Sequence, residues 1–170
     1  MRNWFKEAQF GIMSHFGLYS IFDGEYRGQP CDEWVRRHMQ IPREEYHALA
    51  GAFNPIYFNA DEWIKAVKDS GAKYFVFTAK HHEGFSMYHS KVSKFNIVDA
   101  TPFKRDIVAE IAESCYKYGI KLGLYYSQDL DWDEENGGGF IECEFYKYCH
   151  NTWDYPIERE VNFQKYLDEK

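Results

Sequence analysis

Residues 71–85 read GAKYFVFTAKHHEGF, and the fold turns on how this stretch is parsed. Tyr74-Phe75-Val76-Phe77 is a short run of aromatic and β-branched residues, the composition of a buried strand. Gly71 ahead of it supplies the left-handed stop that ends a preceding helix. Beyond Thr78 the run gives way to Lys80-His81-His82-Glu83-Gly84-Phe85, so two imidazoles, an acid and a lysine sit where a strand becomes a loop. In α/β folds that edge of the sheet is where ligands bind. Imidazoles there offer donors and acceptors near neutral pH, for a polar ligand or for a metal.

Working outward, the same alternation repeats on both sides. Upstream, the Asn54-Pro55 break is followed by Asn59 or Asp61 as a cap, opening a helix that runs to Ser70 with Trp63, Ile64 and Val67 on one face. Farther upstream, Phe10 to Ser14 reads as a first strand, ending at His15-Phe16-Gly17. A polar connection from Asp23 to Gln40 comes next, and Pro42 stands at a first helical position. Downstream, a long loop from Glu83 leads to a helix opening at Pro102, with Ile107, Val108, Ile111, Ala112 and Cys115 at helical spacing and Gly119 as its stop. Lys121 to Tyr126 is the third strand. An acidic, Gly-rich loop from Asp129 to Gly139 and a final helix from about Ile157 complete the chain.

Strand, helix, strand, helix, strand predicts an α/β fold with parallel pairing through right-handed crossovers. Each strand ends in a ligand-type residue: His15, then His81 with His82, then Tyr125 with Tyr126. Three strands presenting such groups at the same end is the layout of a barrel active site. A (β/α)8 barrel takes about 250 residues. The 170 residues here therefore correspond to about the first three β/α units of a TIM-like barrel, or else to a small open sheet.

Composition narrows the function classes. With 45% hydrophobic and 28% charged residues, disorder is disfavoured, and no apolar run is long enough for a membrane span. The net charge of -7 and the lack of any basic stripe argue against nucleic acid. Aromatic residues reach an unusually dense 19%; some must be core, but Tyr and Trp also make amphipathic walls suited to sugars and other half-polar ligands. Cys31, Cys115, Cys143 and Cys149 show no C-x-x-C spacing, so a structural zinc is not expected. Cys143 and Cys149 could pair in an oxidising compartment. The opening Met1-Arg2-Asn3-Trp4-Phe5 is no signal peptide, so either the chain as written starts cytoplasmic or its true N-terminus is missing, and localisation stays open.

The candidate site groups each admit a plainer role. His81 and His82, adjacent on a strand end, point to opposite faces if the strand continues, which makes joint metal ligation awkward. Recognition of a polar substrate suits them better. Glu83 is an acid or base candidate, with a loop-pinning role on backbone amides preferred. Glu33-Trp34 puts a carboxylate beside a flat apolar face, a pair that can hydrogen-bond and stack on a sugar or simply flank the core. Of Tyr125 and Tyr126, one packs under a helix and the other reaches the site. Arg105-Asp106 reads as a local ion pair at a helix start, and Asp129 to Glu135 as a solvated acidic loop without the calcium-loop register.

Taken together, these residues resemble the N-terminal part of an α-L-fucosidase of glycoside hydrolase family 29. The matching segments are WFKEAQFGIMSHFG (4–17), GAKYFVFTAKHHEGF (71–85), Lys104-Arg105-Asp106, GIKLGLYYS (119–127) and NTWDYP (151–156). The resemblance implies a catalytic (β/α)8-like barrel, usually followed by a β-sandwich, that removes terminal α-L-fucose with retention. Retention needs two carboxylates on opposite sides of the anomeric carbon, one forming a glycosyl-enzyme ester. By the motif match, His15, His81 and His82 bind fucose hydroxyls, Tyr125 lies near the nucleophile, and Glu33-Trp34 forms the sugar's rim. Phe16 stands where the family usually has Trp, and Glu83 where Asp is commoner.

The resemblance further implies that residues 1–170 form the N-terminal portion of one catalytic barrel domain, without the rest of the barrel or the β-sandwich. The nucleophilic Asp and the acid/base are then expected beyond Lys170, so no catalytic residue is assigned in this chain. No cofactor or metal is expected, the partner is a fucosylated glycan, and the open edge of strand three invites self-association. Two rivals stand beside it: a metal-dependent barrel hydrolase using His15, His81 and His82, and a non-catalytic sugar-binding module.

Overall fold

Two capped helices frame the sheet. The computed structural model describes residues 3–137, 150–156 and 161–170. Asn59 caps α4 (Ala60–Asp69), its side-chain oxygen accepting from Asp61 N and Glu62 N, while its amide donates to Glu62 Oε1 at 3.0 Å. Asp106 caps α6 (Ile107–Tyr118) through Ala109 N at 2.9 Å, and Gly119 closes it at φ +71°. The sequence places the start of this second helix at Pro102. The chain instead passes through a left-handed Lys104 (φ +57°) first, and the carboxylate of Asp106 fixes the start. Arg105 does not pair with Asp106 either; it binds Glu110, which lies on the first turn of α6.

Between and beside these helices run β1 (Gly11–Ser14), β4 (Tyr74–Lys80) and β5 (Lys121–Tyr126), all parallel, in the order β1-β4-β5. The central strand β4 holds Phe75 and Phe77, 2% and 0% exposed, in one core with Ile64 and Val67 of α4 and Ile107, Ile111 and Cys115 of α6. Burying a large apolar side chain is worth about 2–3 kcal/mol, so this layer carries the fold's stability. The connections add α1 (Trp4–Ala8), the short hairpin β2 (Glu25–Tyr26) with β3 (Gln29–Pro30), α2 (Val35–His38), α3 (Arg43–Ala48) and α5 (Ile97–Ala100). A last helix, here α7, spans Phe163–Glu169. It starts later than the Ile157 expected from sequence, and residues 157–160 lie outside the described part, as do Cys143 and Cys149.

The parallel α/β expectation therefore holds, with three strands. One irregularity matters for the site. Thr78 pairs with Tyr125 but Lys80 pairs with Tyr126, so β4 carries one extra residue at Ala79. Such a bulge re-aims the side chains just beyond it.

Candidate functional site

Because β4 ends at Lys80 just past its bulge, His81 and His82 do not alternate across a sheet. Their ring centroids lie 4.2 Å apart, on the same side. The expectation of opposite faces assumed a strand that continues, and it fails for that reason. His15, just past β1, brings its ring to 5.6 Å from His81 and 6.0 Å from Tyr125. Tyr125 of β5 stands 5.8 Å from His81 and 6.4 Å from His82. Trp34, directly before α2, meets His82 edge-on at 5.0 Å. Glu33 joins them through its carboxylate, which shares a 4.8 Å neighbourhood with ring nitrogens of His15 and His81. All six residues singled out from the sequence thus converge at one end of the sheet.

The two histidines differ in setting. His82 is half-buried, and its Nδ1 lies 2.5 Å from Ser127 Oγ. That hydroxyl donates to Leu130 O at 2.5 Å, so its proton is committed and Nδ1–H of His82 must be the donor. Burial, followed by the nearby charges of His81 and Lys80, pushes the His82 imidazolium down to about 3. His82 is therefore neutral, with its Nε2 lone pair available. It lines an open pocket of about 320 Å³ together with Tyr125, Ser127 and Gln128, large enough for a monosaccharide. His81 is 3% exposed, with Nδ1 turned to Glu83 Oε2 at 3.5 Å. Glu83, at 1% exposure, bonds no backbone amide through its side chain, so the loop-pinning role expected for it is not what the fold gives it.

The donor set bears on a metal. Among the described residues the one His/Cys/Asp/Glu grouping able to hold an ion is His15, Glu33 and His81. The His15, His81 and His82 set of the rival metal reading is not the one assembled: Glu33, not His82, brings a ligand atom close to those of His15 and His81. The same three donors equally suit the hydroxyls of a sugar ring.

Several residues of the site escaped the sequence reading. Trp132, 1% exposed, packs at 5.3 Å from both Trp34 and His82. Its neighbours Asp131 and Asp133 are 2% and 4% exposed, so these two carboxylates are not solvated as expected, whereas Asp129 and Glu135 of the same loop are exposed. Asp131 pairs with Lys80 and accepts from Tyr166 Oη; Asp133 meets Arg36, Arg43 and His47. Burial alone would raise the pKa of Asp133, but the His47 bond and the Arg36 and Arg43 charges hold it below the usual range. The signal was present in Lys80 and Arg36: an ionisable side chain on a buried element requires a partner of opposite charge.

A parallel α/β sheet thus carries imidazoles, aromatic faces and a carboxylate at its C-terminal edge, a set of groups that suits a polyhydroxylated ligand. The chain belongs to the α-L-fucosidase family, whose model matches residues 1–168. A putative α-L-fucosidase of Caenorhabditis elegans is 40% identical over 141 residues, covering 76% of this chain and 29% of the relative. The tissue α-L-fucosidase of Rattus norvegicus is 36% identical over 151 residues, covering 79% and 32%. Among solved structures, the α-L-fucosidase AlfC of Lactobacillus casei in complex with its α-L-fucose product superposes with a TM-score of 0.92. It is 50% identical, over 98% of this chain and 54% of that one. An α-L-fucosidase from Vibrio sp. strain EJY3 gives 0.88 at 43% identity, over 99% and 28%. The chain thus spans about a third of the curated relatives and about half of AlfC.

Proposed function

We propose that this chain supplies the fucose-binding wall of a retaining α-L-fucosidase, as the first three β/α units of a (β/α)8 barrel. Residues 1–170 are the N-terminal portion of that single catalytic domain. His15, Glu33, His81 and His82 hydrogen-bond sugar hydroxyls, Trp34 covers an apolar face of the ring, and Tyr125 flanks the reacting carbon. The nucleophilic Asp and the acid/base carboxylate belong to the barrel beyond Lys170. There the nucleophile forms the glycosyl ester and the acid protonates the departing oxygen.

One observation carries this reading: six polar and aromatic side chains from the ends of three parallel strands and the loop before α2 cluster at one end of the sheet, where His82 and Tyr125 line an open pocket. Held rigidly, they fix the sugar's orientation so that attack becomes effectively unimolecular. The neutral His82, with its proton locked on Nδ1, adds an acceptor suited to a hydroxyl. AlfC has been solved with α-L-fucose, and a point mutant of it with 4-nitrophenyl α-L-fucopyranoside and with Fuc(α1,6)GlcNAc, which supports a fucosylated glycan as substrate class here.

The test is direct. Calorimetry of this chain with L-fucose should give saturable binding that His82→Ala abolishes, and the 170 residues alone should not cleave an aryl α-L-fucoside. Binding of D-glucose as strong as that of L-fucose, or hydrolysis by the purified chain, would overturn the assignment.

A further inference from the structure

Behind His81 lies a sealed polar cluster that sugar binding by itself does not require. Glu83 is 1% exposed, and neither of its carboxylate oxygens has a hydrogen-bond partner; His81 Nδ1 stands 3.5 Å from Oε2, within ion-pair reach. That nitrogen is equally enclosed and has no other partner. The chain does much to keep Glu83 in place. Gly84, next to it, adopts φ +89° and leaves no room for a side chain, since a Cβ there would fall 2.4 Å from Asp133 Cβ. Arg36, wholly buried, donates from Nη1 to the Glu83 carbonyl oxygen at 2.8 Å. The Tyr19 ring packs 5.5 Å from His81 and Tyr46 lies under the Arg36 guanidinium at 5.1 Å, and both hydroxyls are pushed up first by burial and then by the Glu83 charge.

The basic group that this carboxylate meets is His81 Nδ1. We propose that Glu83 is a positioning residue for His81: its carboxylate accepts the Nδ1 proton and leaves Nε2, on the opposite side of the ring, unprotonated toward His15 and Glu33. A carboxylate on one imidazole nitrogen fixes tautomer and ring orientation and raises the basicity of the other. His82 reaches the same state by a different route, through Ser127 and the Leu130 carbonyl. Both histidines of the pair then present acceptors, side by side at 4.2 Å between centroids. Such a pair selects ligands that offer two adjacent hydroxyl donors and disfavours those with an ether or a deoxy carbon at either place. The consequence for sugars rests on the proposed fucose site, whereas the tautomer does not.

The experiment is imidazole 15N spectroscopy of the chain without ligand, in wild type, Glu83→Leu and Glu83→Gln. Wild type should show His81 protonated at Nδ1 and bare at Nε2. Glu83→Gln retains a carbonyl acceptor and should keep that pattern, whereas Glu83→Leu removes the acceptor and should move His81 toward the Nε2–H form. The His82 resonances, anchored by Ser127, should stay put in all three and report that the fold is intact. A wild-type His81 carrying its proton on Nε2 overturns the proposal without any variant. So does a Glu83→Leu protein with His82 unmoved and the His81 tautomer unchanged. L-fucose titration then separates the two levels: Glu83→Leu should weaken binding about tenfold with Glu83→Gln near wild type. Wild type failing to bind while the tautomers behave as stated sinks the sugar site and leaves the positioning role.

Discussion

Lys80 Nζ lies 2.8 Å from Asp131 Oδ2, with the two side chains 4% and 1% exposed. The same ammonium donates to Ser127 O at 2.8 Å and sits 4.9 Å over the Tyr126 ring, while Asp131 accepts from Tyr166 of α7. One buried pair thereby joins the end of β4, the end of β5, the acidic loop and the last helix. It fixes the loop that carries Trp132 against His82.

Removing one partner should cost far more than removing both. Lys80→Met leaves the Asp131 carboxylate buried and uncompensated, and should destabilise the chain by about 3–5 kcal/mol. Adding Asp131→Leu should return a large part of that loss. Urea unfolding of the two variants checks the ordering.

Acid should weaken the fold through His82. Its imidazolium is held down to about 3 against the ordinary 6.5, so the unfolded chain binds the proton first. Stability from this group is complete above pH 6.5 and is lost as pH falls toward 3, by something on the order of 3 kcal/mol. His82→Gln should flatten that part of the stability profile. A wild-type profile parallel to that of the variant between pH 6.5 and pH 3 would refute this.

Gly84→Ala should be severe for a single methyl. The backbone φ of +89° is one that L side chains rarely adopt, and the new Cβ would fall 2.4 Å from Asp133 Cβ. A loss of at least about 2 kcal/mol is expected, read as a lower thermal midpoint.

Trp34→Ala tests the sugar rim. Trp34 is half-buried and contributes a ring face beside His82, so its removal should weaken L-fucose binding about tenfold while leaving the parallel sheet intact by circular dichroism. Unchanged affinity would mean that the indole does not touch the sugar.

Self-association is expected at the β5 edge. Among the described residues β5 pairs on one side, with β4, and Leu124 is 52% exposed. An unpaired strand with an apolar side chain recruits another chain. Sedimentation should show concentration-dependent dimers that Leu124→Lys suppresses.

Much of the architecture was legible because it depends on neighbours in sequence. Gly71 and Gly119 announce helix ends by their left-handed geometry, Asn59 announces a start by its side-chain oxygen, and the run from Lys121 to Tyr126 matches β5 residue for residue. The start of α6 was misplaced because Pro102 and Asp106 are both competent openers, and only the turn through Lys104 selects between them. The acidic loop was misjudged for a different reason. A run of Asp and Glu looks solvated until Lys80, Arg36, Arg43 and His47, up to 97 residues away in sequence, are known to face it.

By itself, the sequence determined the alternation of strands and helices and the types of side chain waiting at each strand end, since both follow from periodicity and local backbone preference. Tertiary structure alone decided that His81 and His82 share a side, that Glu33 rather than His82 completes the cluster with His15, and that Glu83 stands behind His81. Those outcomes hinge on a one-residue bulge at Ala79 and on burial, and neither is encoded in any short window of residues.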